Sequence, residues 1–366
     1  MTDMEYLQMN DNQLSGSLPA SWSALTNLDI LYLHNNELTG SLPSSWSSMS
    51  SITDLRLYQN QLSGTLPDSW SGMTQVELLY LSINQFTGTL PDSWPSLSNL
   101  FRLHLQENQL TGSIPESWTT FPSMLYLRLY DNMLTGTVPE SFNTMTNLQI
   151  LYIGQNDLTG TLHNSWSSMT SLIGLDIQKS SVSGTLPSSW SSMTEMELMY
   201  LDETQISGTI PDSWAAMTKL RYLYLNTNQI TGTLPAAFSS MTDMEYLQMN
   251  DNQLSGSLPA SWSALTNLDI LYLHNNELTG SLPSSWSSMS SITDLRLYQN
   301  QLSGTLPDSW SGMTQVELLY LSINQFTGTL PDSWPSLSNL FRLHLQENQL
   351  TGSIPESWTT FPSMLY

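Results

Sequence analysis

A strict 24-residue period constrains the fold of this chain more than any other feature. The pattern x-L-x-x-L-x-L-x-x-N-x-L-[ST]-G-x-L-P-x-S-W-x-x-M-[ST] runs through fifteen consecutive repeats, from residues 3–26 to residues 339–362, without insertion or deletion. We number the repeats 1 to 15 and the positions within each repeat 1 to 24. A unit this short cannot bury its apolar face alone, so the repeats must stack and share one core.

A longer period lies over the short one, because residues 1–126 are identical to residues 241–366. The chain therefore holds one and a half copies of a 240-residue super-repeat, and both ends fall inside a repeat. A length of 366 residues would ordinarily indicate two or three globular domains. We expect instead one continuous solenoid over residues 1–366, with complete repeats over residues 3–362, cut from a longer array.

The period also accounts for the unusual composition. Position 14 is Gly in every repeat, position 17 is Pro in every repeat except at His163, and position 20 holds all 13 Trp. Phe142 and Phe238 occupy position 20 in the remaining repeats. The tryptophans thus fill one structural slot rather than an aromatic binding surface. We predict a core column that includes Trp22, Trp46, Trp70, Trp94 and Trp118.

Positions 4 to 8 alternate between outward and apolar residues, which is typical of a short strand with one buried face. The Asn at position 10 is expected to turn inward and bond backbone groups that a buried turn would leave unpaired. This predicted ladder comprises Asn12, Asn36, Asn60, Asn84, Asn108, Asn132, Asn156 and Asn228. Ser180 and Thr204 replace it in repeats 8 and 9, where we predict a weaker ladder and faster amide exchange.

The segment L-x-x-L-x-L-x-x-N-x-L is the leucine-rich-repeat signature. It indicates a leucine-rich-repeat solenoid (α/β-type repeat class, mostly β) with a parallel sheet on its concave face. The core Leu38-Thr39-Gly40-Ser41-Leu42-Pro43 resembles the 24-residue repeats of plant receptor ectodomains, and residues 183–194 resemble kinetoplastid surface repeats. The latter belong to the promastigote surface antigen and proteophosphoglycan families. That resemblance implies a non-enzymatic, extracellular or cell-surface protist protein with a role in adhesion or protection.

Several kinds of chemistry are disfavoured by the sequence. A net charge of −23 argues against nucleic-acid binding, and the absence of Cys removes disulfides and thiol chemistry. His34, His104 and His163 lie in different repeats, so we expect solvent-exposed side chains that bind no common metal. An acidic column near the strand ends is interpreted as a solvated rim, with calcium as the alternative. We predict no cofactor, no catalytic residue and no metal site.

Tyrosine and arginine gather at the outward positions 4, 6 and 8 of the predicted strands. Tyr and Arg are common anchors of protein interfaces, so these residues form a candidate binding strip. Its members are Tyr32, Arg56, Tyr58, Tyr80, Arg102, His104, Tyr126, Arg128, Tyr130, Tyr152, Tyr200, Tyr222 and Tyr224. The alternative is that Tyr merely packs well on a half-exposed strand.

Two functions follow from these observations. The first is a non-enzymatic structural or adhesive segment of a long surface fibre, which associates with itself, with other surface or filament proteins, or with glycans. The alternative is a receptor-like module that binds a peptide, protein or glycan on the strip. Neither function involves nucleic acid or membrane insertion within this window.

Overall fold

A computed structural model describes residues 3–361 of the chain. Contacts between Cα atoms divide it into two compact units, Met1–Val182 and Ser183–Tyr366, here the N-terminal and C-terminal units. Each unit is built from stacked repeats that carry two parallel sheets and a column of short 3₁₀ helices. Within each unit the predicted leucine-rich-repeat solenoid is confirmed, while continuity over the whole chain stays a prediction.

Positions 4 to 6 form a three-residue strand in each repeat, and these strands make the primary sheet of each unit. Partners lie 24 residues apart, as in Leu31 opposite Leu55, so equivalent positions face each other directly. In the N-terminal unit the strands are Tyr6–Gln8, Ile30–Tyr32, Asp54–Arg56, Leu78–Tyr80, Arg102–His104, Tyr126–Arg128, Ile150–Tyr152 and Gly174–Asp176. In the C-terminal unit they are Leu198–Tyr200, Tyr222–Tyr224, Tyr246–Gln248, Ile270–Tyr272, Asp294–Arg296, Leu318–Tyr320 and Arg342–His344.

A second parallel sheet is built from positions 11 to 15, a feature that the alternation at positions 4 to 8 does not predict. Its partners are offset, so that Thr39 lies opposite Gln61. The N-terminal strands are Ser15–Ser17, Glu37–Ser41, Gln61–Thr65, Gln85–Thr89, Gln109–Ser113, Met133–Thr137 and Asp157–Thr159. The C-terminal strands are Ser183–Thr185, Gln205–Thr209, Gln229–Thr233, Gln253–Ser257, Glu277–Ser281, Gln301–Thr305, Gln325–Gly328 and Gln349–Leu350.

Each repeat closes with a short 3₁₀ helix near positions 18 to 22. The residue at position 17 sets up this turn, since a Pro such as Pro19 (φ −70°, ψ 119°) holds extended backbone just before it. The N-terminal helices are Ala20–Ala24, Ser44–Ser48, Asp68–Gly72, Trp94–Ser96, Glu116–Thr120, Glu140–Thr144 and Asn164–Ser168. The C-terminal helices are Ser188–Ser192, Asp212–Ala216, Ala236–Ser240, Ala260–Ala264, Ser284–Ser288, Asp308–Gly312, Trp334–Ser336 and Glu356–Thr360.

The position-20 tryptophans form a stacked column in the core. The ring of Trp46 lies 6.1 Å from that of Trp22 and 6.3 Å from that of Trp70, with interplanar angles of 6° and 4°. The indole Nε1 of Trp46 donates to the carbonyl oxygen of Pro19 in the preceding repeat at 3.1 Å. Trp46, Trp70, Trp94 and Trp118 are fully buried and Trp22 is partly exposed. The rings therefore pack on one another, and the structural role of this column stays a prediction.

The position-10 asparagines bond backbone groups, as the contacts of Asn132 show. Asn132 Nδ2 lies 3.1 Å from the carbonyl oxygen of Leu105, 3.0 Å from that of Leu129 and 3.3 Å from that of Tyr130. Its Oδ1 accepts from the backbone N–H of Leu110 in the preceding repeat at 3.0 Å. One amide thus satisfies backbone groups of two successive repeats, which ties them together.

The two hydroxyl substitutions make fewer of these bonds. Ser180 Oγ donates to the carbonyl oxygen of Ile177 in its own repeat at 2.7 Å. Thr204 Oγ1 lies 3.0 Å from the carbonyl oxygen of Leu201 and 2.6 Å from Asn228 Oδ1. This geometry supports a weaker ladder in repeats 8 and 9, and the faster amide exchange there stays a prediction.

Two positions of every repeat have left-handed backbone. Position 14 is always Gly, with φ between 75° and 95°, as expected for a bend of this kind. Position 9 also has φ between 50° and 57° in all fifteen repeats, although no residue there is Gly. Ile83 and Ile323 adopt this conformation despite their branched Cβ atoms, which disfavour it by roughly 1–2 kcal/mol.

Candidate binding surface

The outward positions of the primary sheet gather the predicted strip on one face of each unit. All thirteen members are neither fully buried nor fully exposed. In the N-terminal unit the strip runs over repeats 2 to 7, from Tyr32 to Tyr152. In the C-terminal unit it begins at Tyr200, Tyr222 and Tyr224. The predicted residues therefore share a face within each unit, which is the geometry that a binding strip requires.

Arg56 is locked into the sheet by a carboxylate. Its Nε lies 3.0 Å from Asp54 Oδ1 and its Nη2 lies 2.7 Å from Asp54 Oδ2. The guanidinium also lies over the rings of Tyr32 and Tyr80, at 4.3 and 5.1 Å from their centroids. Tyr32 donates its hydroxyl to Asp54 at 2.6 Å, and burial together with this bond raises the pKa of Tyr32 to about 12. The charge of Arg56 is thus already neutralised inside the protein.

The expectation of a solvent-exposed histidine at position 34 is wrong. His34 is only 7% exposed, and its ring stacks on Tyr58 with centroids 4.4 Å apart. Burial lowers the pKa of His34 and outweighs the opposite effect of Asp11. The physical reason is that position 8 faces the rim of the sheet, where an aromatic neighbour in the next repeat covers the imidazole.

Arg102 and Arg128 form a second basic group, which we call the arginine pair, and His104 lies beside both of them. The guanidinium of Arg102 lies 4.2 Å from the ring centroid of Tyr126, and that of Arg128 lies 5.3 Å from the centroid of Tyr152. His104 lies directly across the strand pair from Arg128. Burial lowers the pKa of His104 to about 3, and both nearby guanidiniums add to this effect. His104 is therefore neutral at physiological pH.

The charges of this arginine pair are not compensated. Arg102 Nη1 lies 3.2 Å from the Tyr80 hydroxyl oxygen, a neutral partner. Within residues 3–361 neither Arg102 nor Arg128 forms an ion pair, and the buried Nε of each has no hydrogen-bond partner. By contrast Arg56, Arg221 and Arg296 each pair with a carboxylate. Two available positive charges therefore lie together on the face of a strongly acidic protein.

A buried acid follows the strip at repeats 7 and 8. Asp176 is only 5% exposed and accepts from the backbone N–H of Gln178 at 3.0 Å. Its side chain lies over Gly154, since a Cβ there would come within 2.3 Å of Asp176 Oδ1. Gly174 makes room in the same way for the Tyr152 hydroxyl, which would lie 2.8 Å from a Cβ. Burial raises the pKa of Asp176 to about 6.

The C-terminal unit has its own aromatic contacts. The rings of Tyr222 and Tyr246 stack with centroids 4.8 Å apart, and those of Tyr200 and Tyr224 lie 4.9 Å apart. Arg221 Nη2 lies 2.8 Å from Glu245 Oε1. The Tyr222 hydroxyl donates to the other carboxylate oxygen, Glu245 Oε2, at 3.1 Å. This stretch of the strip is consequently aromatic and electrically balanced.

Sequence reasoning missed the carboxylates that decide which arginines are available. Asp54 stands two residues before Arg56 on one strand, and residues so spaced lie on the same face. That signal was present in the sequence. Asp176 was missed as a buried acid because the small residue beneath it, Gly154, belongs to the preceding repeat.

Two further observations concern metals and membranes. Among residues 3–361, no three His, Asp or Glu side chains come together in an arrangement that would hold a metal ion. A search of the same residues for a helix with the length and apolar character of a bilayer span finds none.

The repeats identify the class of the protein. Sequence profiles described as "Leucine rich repeat" match residues 26–86, 218–278 and 266–326, and a second leucine-rich-repeat profile matches residues 99–121 and 339–361. Together they cover more than half of the chain, which belongs to the leucine-rich-repeat family. None of the curated protein sequences compared with this chain matches it.

Among solved structures, the plant peptide hormone receptor RGFR1 in complex with RGF2 has a TM-score of 0.94 at 31% identity. The Arabidopsis receptor kinase HAESA, in complex with the peptide hormone IDA and the co-receptor SERK1, has a TM-score of 0.92 at 30% identity. These matches cover 98% and 100% of this chain, but it spans only 57% and 65% of the two receptor chains.

A third similar structure is a plant ice-binding protein, with a TM-score of 0.56 at 29% identity over 74% of this chain and 80% of that one. The resemblance to plant receptor ectodomains is thus confirmed at the level of fold and repeat class. The resemblance to kinetoplastid surface proteins gains no support from these matches and stays a prediction.

Proposed function

We propose that this chain is a ligand-binding segment of an extracellular leucine-rich-repeat protein and takes a peptide on its Tyr/Arg strip. The observation that carries this proposal is the row of half-exposed aromatic and guanidinium groups over repeats 2 to 7. Tyrosine and arginine contribute disproportionately to interface energies, because they combine a large apolar area with directional hydrogen bonds.

The compared structures support the same function. Two receptors with 30% or more identity to this chain were solved with peptide hormones, one of them with a co-receptor as well. Receptor ectodomains are extracellular, and the extracellular placement proposed here is drawn from them. The fibre role predicted from the super-repeat has no support in these comparisons, and neither do glycan or filament partners.

The experiment is a screen of the full chain against an array of random twelve-residue peptides. We expect retained peptides whose binding falls at least tenfold in Tyr80→Ala and in Tyr126→Ala. The matched controls are Thr89→Ala and Thr137→Ala, which alter the second sheet and should leave binding unchanged. A chain that retains no peptide, or one whose binding depends on the second sheet instead, contradicts the proposal.

A second candidate function is favoured by the second sheet. Positions 13 to 15 read Ser/Thr-Gly-Ser/Thr in all fifteen repeats. The position-13 hydroxyls are held by backbone, as in Thr111 Oγ1, which lies 3.3 Å from the carbonyl oxygen of Gly88. The position-15 residues, such as Thr89 directly across from Thr111, are exposed in every described repeat. Hydroxyls repeat along this face at the strand spacing of about 4.8 Å.

Such a periodic hydroxyl face suits a periodic solid such as ice, and one similar structure is that of an ice-binding protein. Thermal hysteresis of the freezing point tests this candidate. The triple variant Thr65→Lys, Thr89→Lys and Thr137→Lys should abolish any hysteresis, whereas Tyr80→Ala should not change it. A wild-type chain without hysteresis removes the candidate.

A further inference from the structure

The arginine pair indicates the chemical class of the peptide. We propose that Arg102 and Arg128 anchor an acidic side chain, so that the peptide carries a Glu or Asp at the place where it crosses repeats 5 and 6. This inference rests on the proposed function, since it names the ligand of the same strip. Three steps lead to it: the availability of the two charges, their fixed orientation, and the acidic residues around them.

The two guanidiniums are available to a ligand because, among the described residues, no carboxylate forms an ion pair with either of them. Arg56, in the same strip, donates from both Nε and Nη2 to Asp54. In the described part of the chain, neither Arg102 nor Arg128 has such a partner. Charge-assisted hydrogen bonds from guanidinium to carboxylate are about twice as strong as neutral ones, so a ligand carboxylate gains most at this place.

The orientation of both guanidiniums is fixed before a ligand arrives. Arg102 is held between the Tyr80 hydroxyl and the face of Tyr126, and Arg128 lies over the face of Tyr152. His104 between them is neutral, with a pKa of about 3, and packs edge-on against Tyr80 at 4.5 Å. A preorganised fork loses little side-chain entropy when it binds, which favours bidentate contact with a planar carboxylate.

The surrounding charge limits how acidic the peptide is. The protein carries a net charge of −23. Close to Arg128, the carboxylates of Glu107, Asp131 and Asp176 all raise the pKa of the Tyr130 hydroxyl. A polyanion such as nucleic acid or a highly phosphorylated chain is repelled by this field. A single carboxylate flanked by neutral or basic residues is attracted to the arginine pair without meeting that repulsion.

The experiment uses the full chain and an array of nine-residue peptides. The central residue is Glu, Gln or Lys, and the other eight positions are randomised. We expect Glu-centred peptides to be retained at least tenfold more than Gln-centred peptides, and Lys-centred peptides least of all. In Arg102→Gln and in Arg128→Gln this preference should fall to about twofold or less.

Two further variants keep the test informative. Arg221→Gln removes an arginine that is already paired with Glu245, and it should leave the preference for Glu intact. Arg102→Lys keeps the charge without the planar fork and should give an intermediate preference, which also shows that the region folds. Equal retention of Glu- and Gln-centred peptides, or a preference that survives both glutamine variants, overturns the inference while leaving peptide binding itself in place. Retention of no peptide at all contradicts the proposed function and the inference together.

Discussion

The two faces of each repeat differ in how much their side chains vary. On the second sheet, positions 13 to 15 read Ser/Thr-Gly-Ser/Thr fifteen times. On the primary sheet, position 6 alone passes through Gln8, Tyr32, Arg56, His104 and Asp176. The backbone beneath both faces repeats every 24 residues, as the strand bounds show.

This difference separates what the fold needs from what it only carries. A residue that packs on the neighbouring repeat meets the same neighbour each time, so the same residue recurs. An outward side chain on the primary sheet meets no such requirement, and its variation gives each repeat a different chemical surface. Recurring positions should therefore dominate stability, and varied positions should dominate recognition.

The largest expected effect comes from the recurring tryptophan. Trp46→Ala should lower the free energy of unfolding by about 3–5 kcal/mol, because a fully buried ring is replaced by a cavity and Pro19 loses its indole donor. Urea denaturation followed by circular dichroism measures the loss. Trp22→Ala, at a partly exposed ring of the same column, should cost less than half as much. Equal losses would show that ring burial is not what stabilises the column.

Asp176 is a varied position that departs from the rule, because it is buried. A raised pKa in the folded state means that its favourable contribution is complete below the ordinary value near 3.8 and is lost as the pH rises through about 6. The gain in unfolding free energy of Asp176→Asn over the wild type should therefore be larger at pH 7 than at pH 4, by roughly 2–3 kcal/mol. Denaturation midpoints at both pH values test this, with the exposed Asp157→Asn as the control for net charge. A pH-independent difference between the wild type and Asp176→Asn would contradict the assignment.

The asparagine ladder should come next among the recurring positions. Asn132→Ala leaves the N–H of Leu110 without its acceptor and removes one of the two amide donors to the Leu105 carbonyl oxygen, the other being Asn108, and should cost about 2 kcal/mol. Hydrogen exchange should show faster opening in repeats 5 and 6. Asn12→Ala is the control, since that exposed side chain bonds only Met9 and Asn10 of its own repeat. The idea fails if both variants lose the same stability.

The smallest effect concerns the left-handed position 9. Ile83→Asn should raise the free energy of unfolding by about 1 kcal/mol, because Asn tolerates φ near 53° better than a β-branched residue. Gln59→Asn, at an equally left-handed but unbranched site, should gain less. A loss of stability in Ile83→Asn would indicate that the apolar contacts of the isoleucine outweigh its backbone strain.

Most of the fold follows from the sequence because every structural column repeats fifteen times. The buried leucines at position 5, the inward Asn132 and the stacked Trp46 each lie where the period places them. The second sheet escaped prediction because its strands alternate Gln, Leu, Ser/Thr and Gly, a pattern also typical of a turn-rich loop. The left-handed position 9 escaped it because no glycine marks the site.

The candidate site was predictable as a face but not as a distribution of charge. Alternation places Arg56, Arg102 and Arg128 on one predicted face, and all three lie in strands of the primary sheet. Which of them remains unpaired depends on carboxylates within the strip and on rotamers, such as the fork between Arg56 and Asp54. Burial of His34 and Asp176 depends on neighbours one repeat away, whose side-chain directions the period does not determine.

The recurring side-chain donors at positions 10, 19 and 20 reach back to the preceding repeat, whereas backbone N–H groups bond both the preceding and the following repeat. Asn132 Nδ2 reaches back to Leu105, Trp46 Nε1 reaches back to Pro19, and Ser45 Oγ reaches back to Ala20. The two ends of any array of these repeats therefore lack different partners: the leading repeat lacks carbonyl acceptors for its Asn, Ser and Trp side chains, and the trailing repeat lacks the Asn Oδ1 that accepts its position-12 N–H. A capping segment before the array has to supply carbonyl groups for these side chains, and a capping segment after it has to supply an acceptor for that N–H as well as donors for the free carbonyl groups. Caps designed for one end are consequently unsuited to the other.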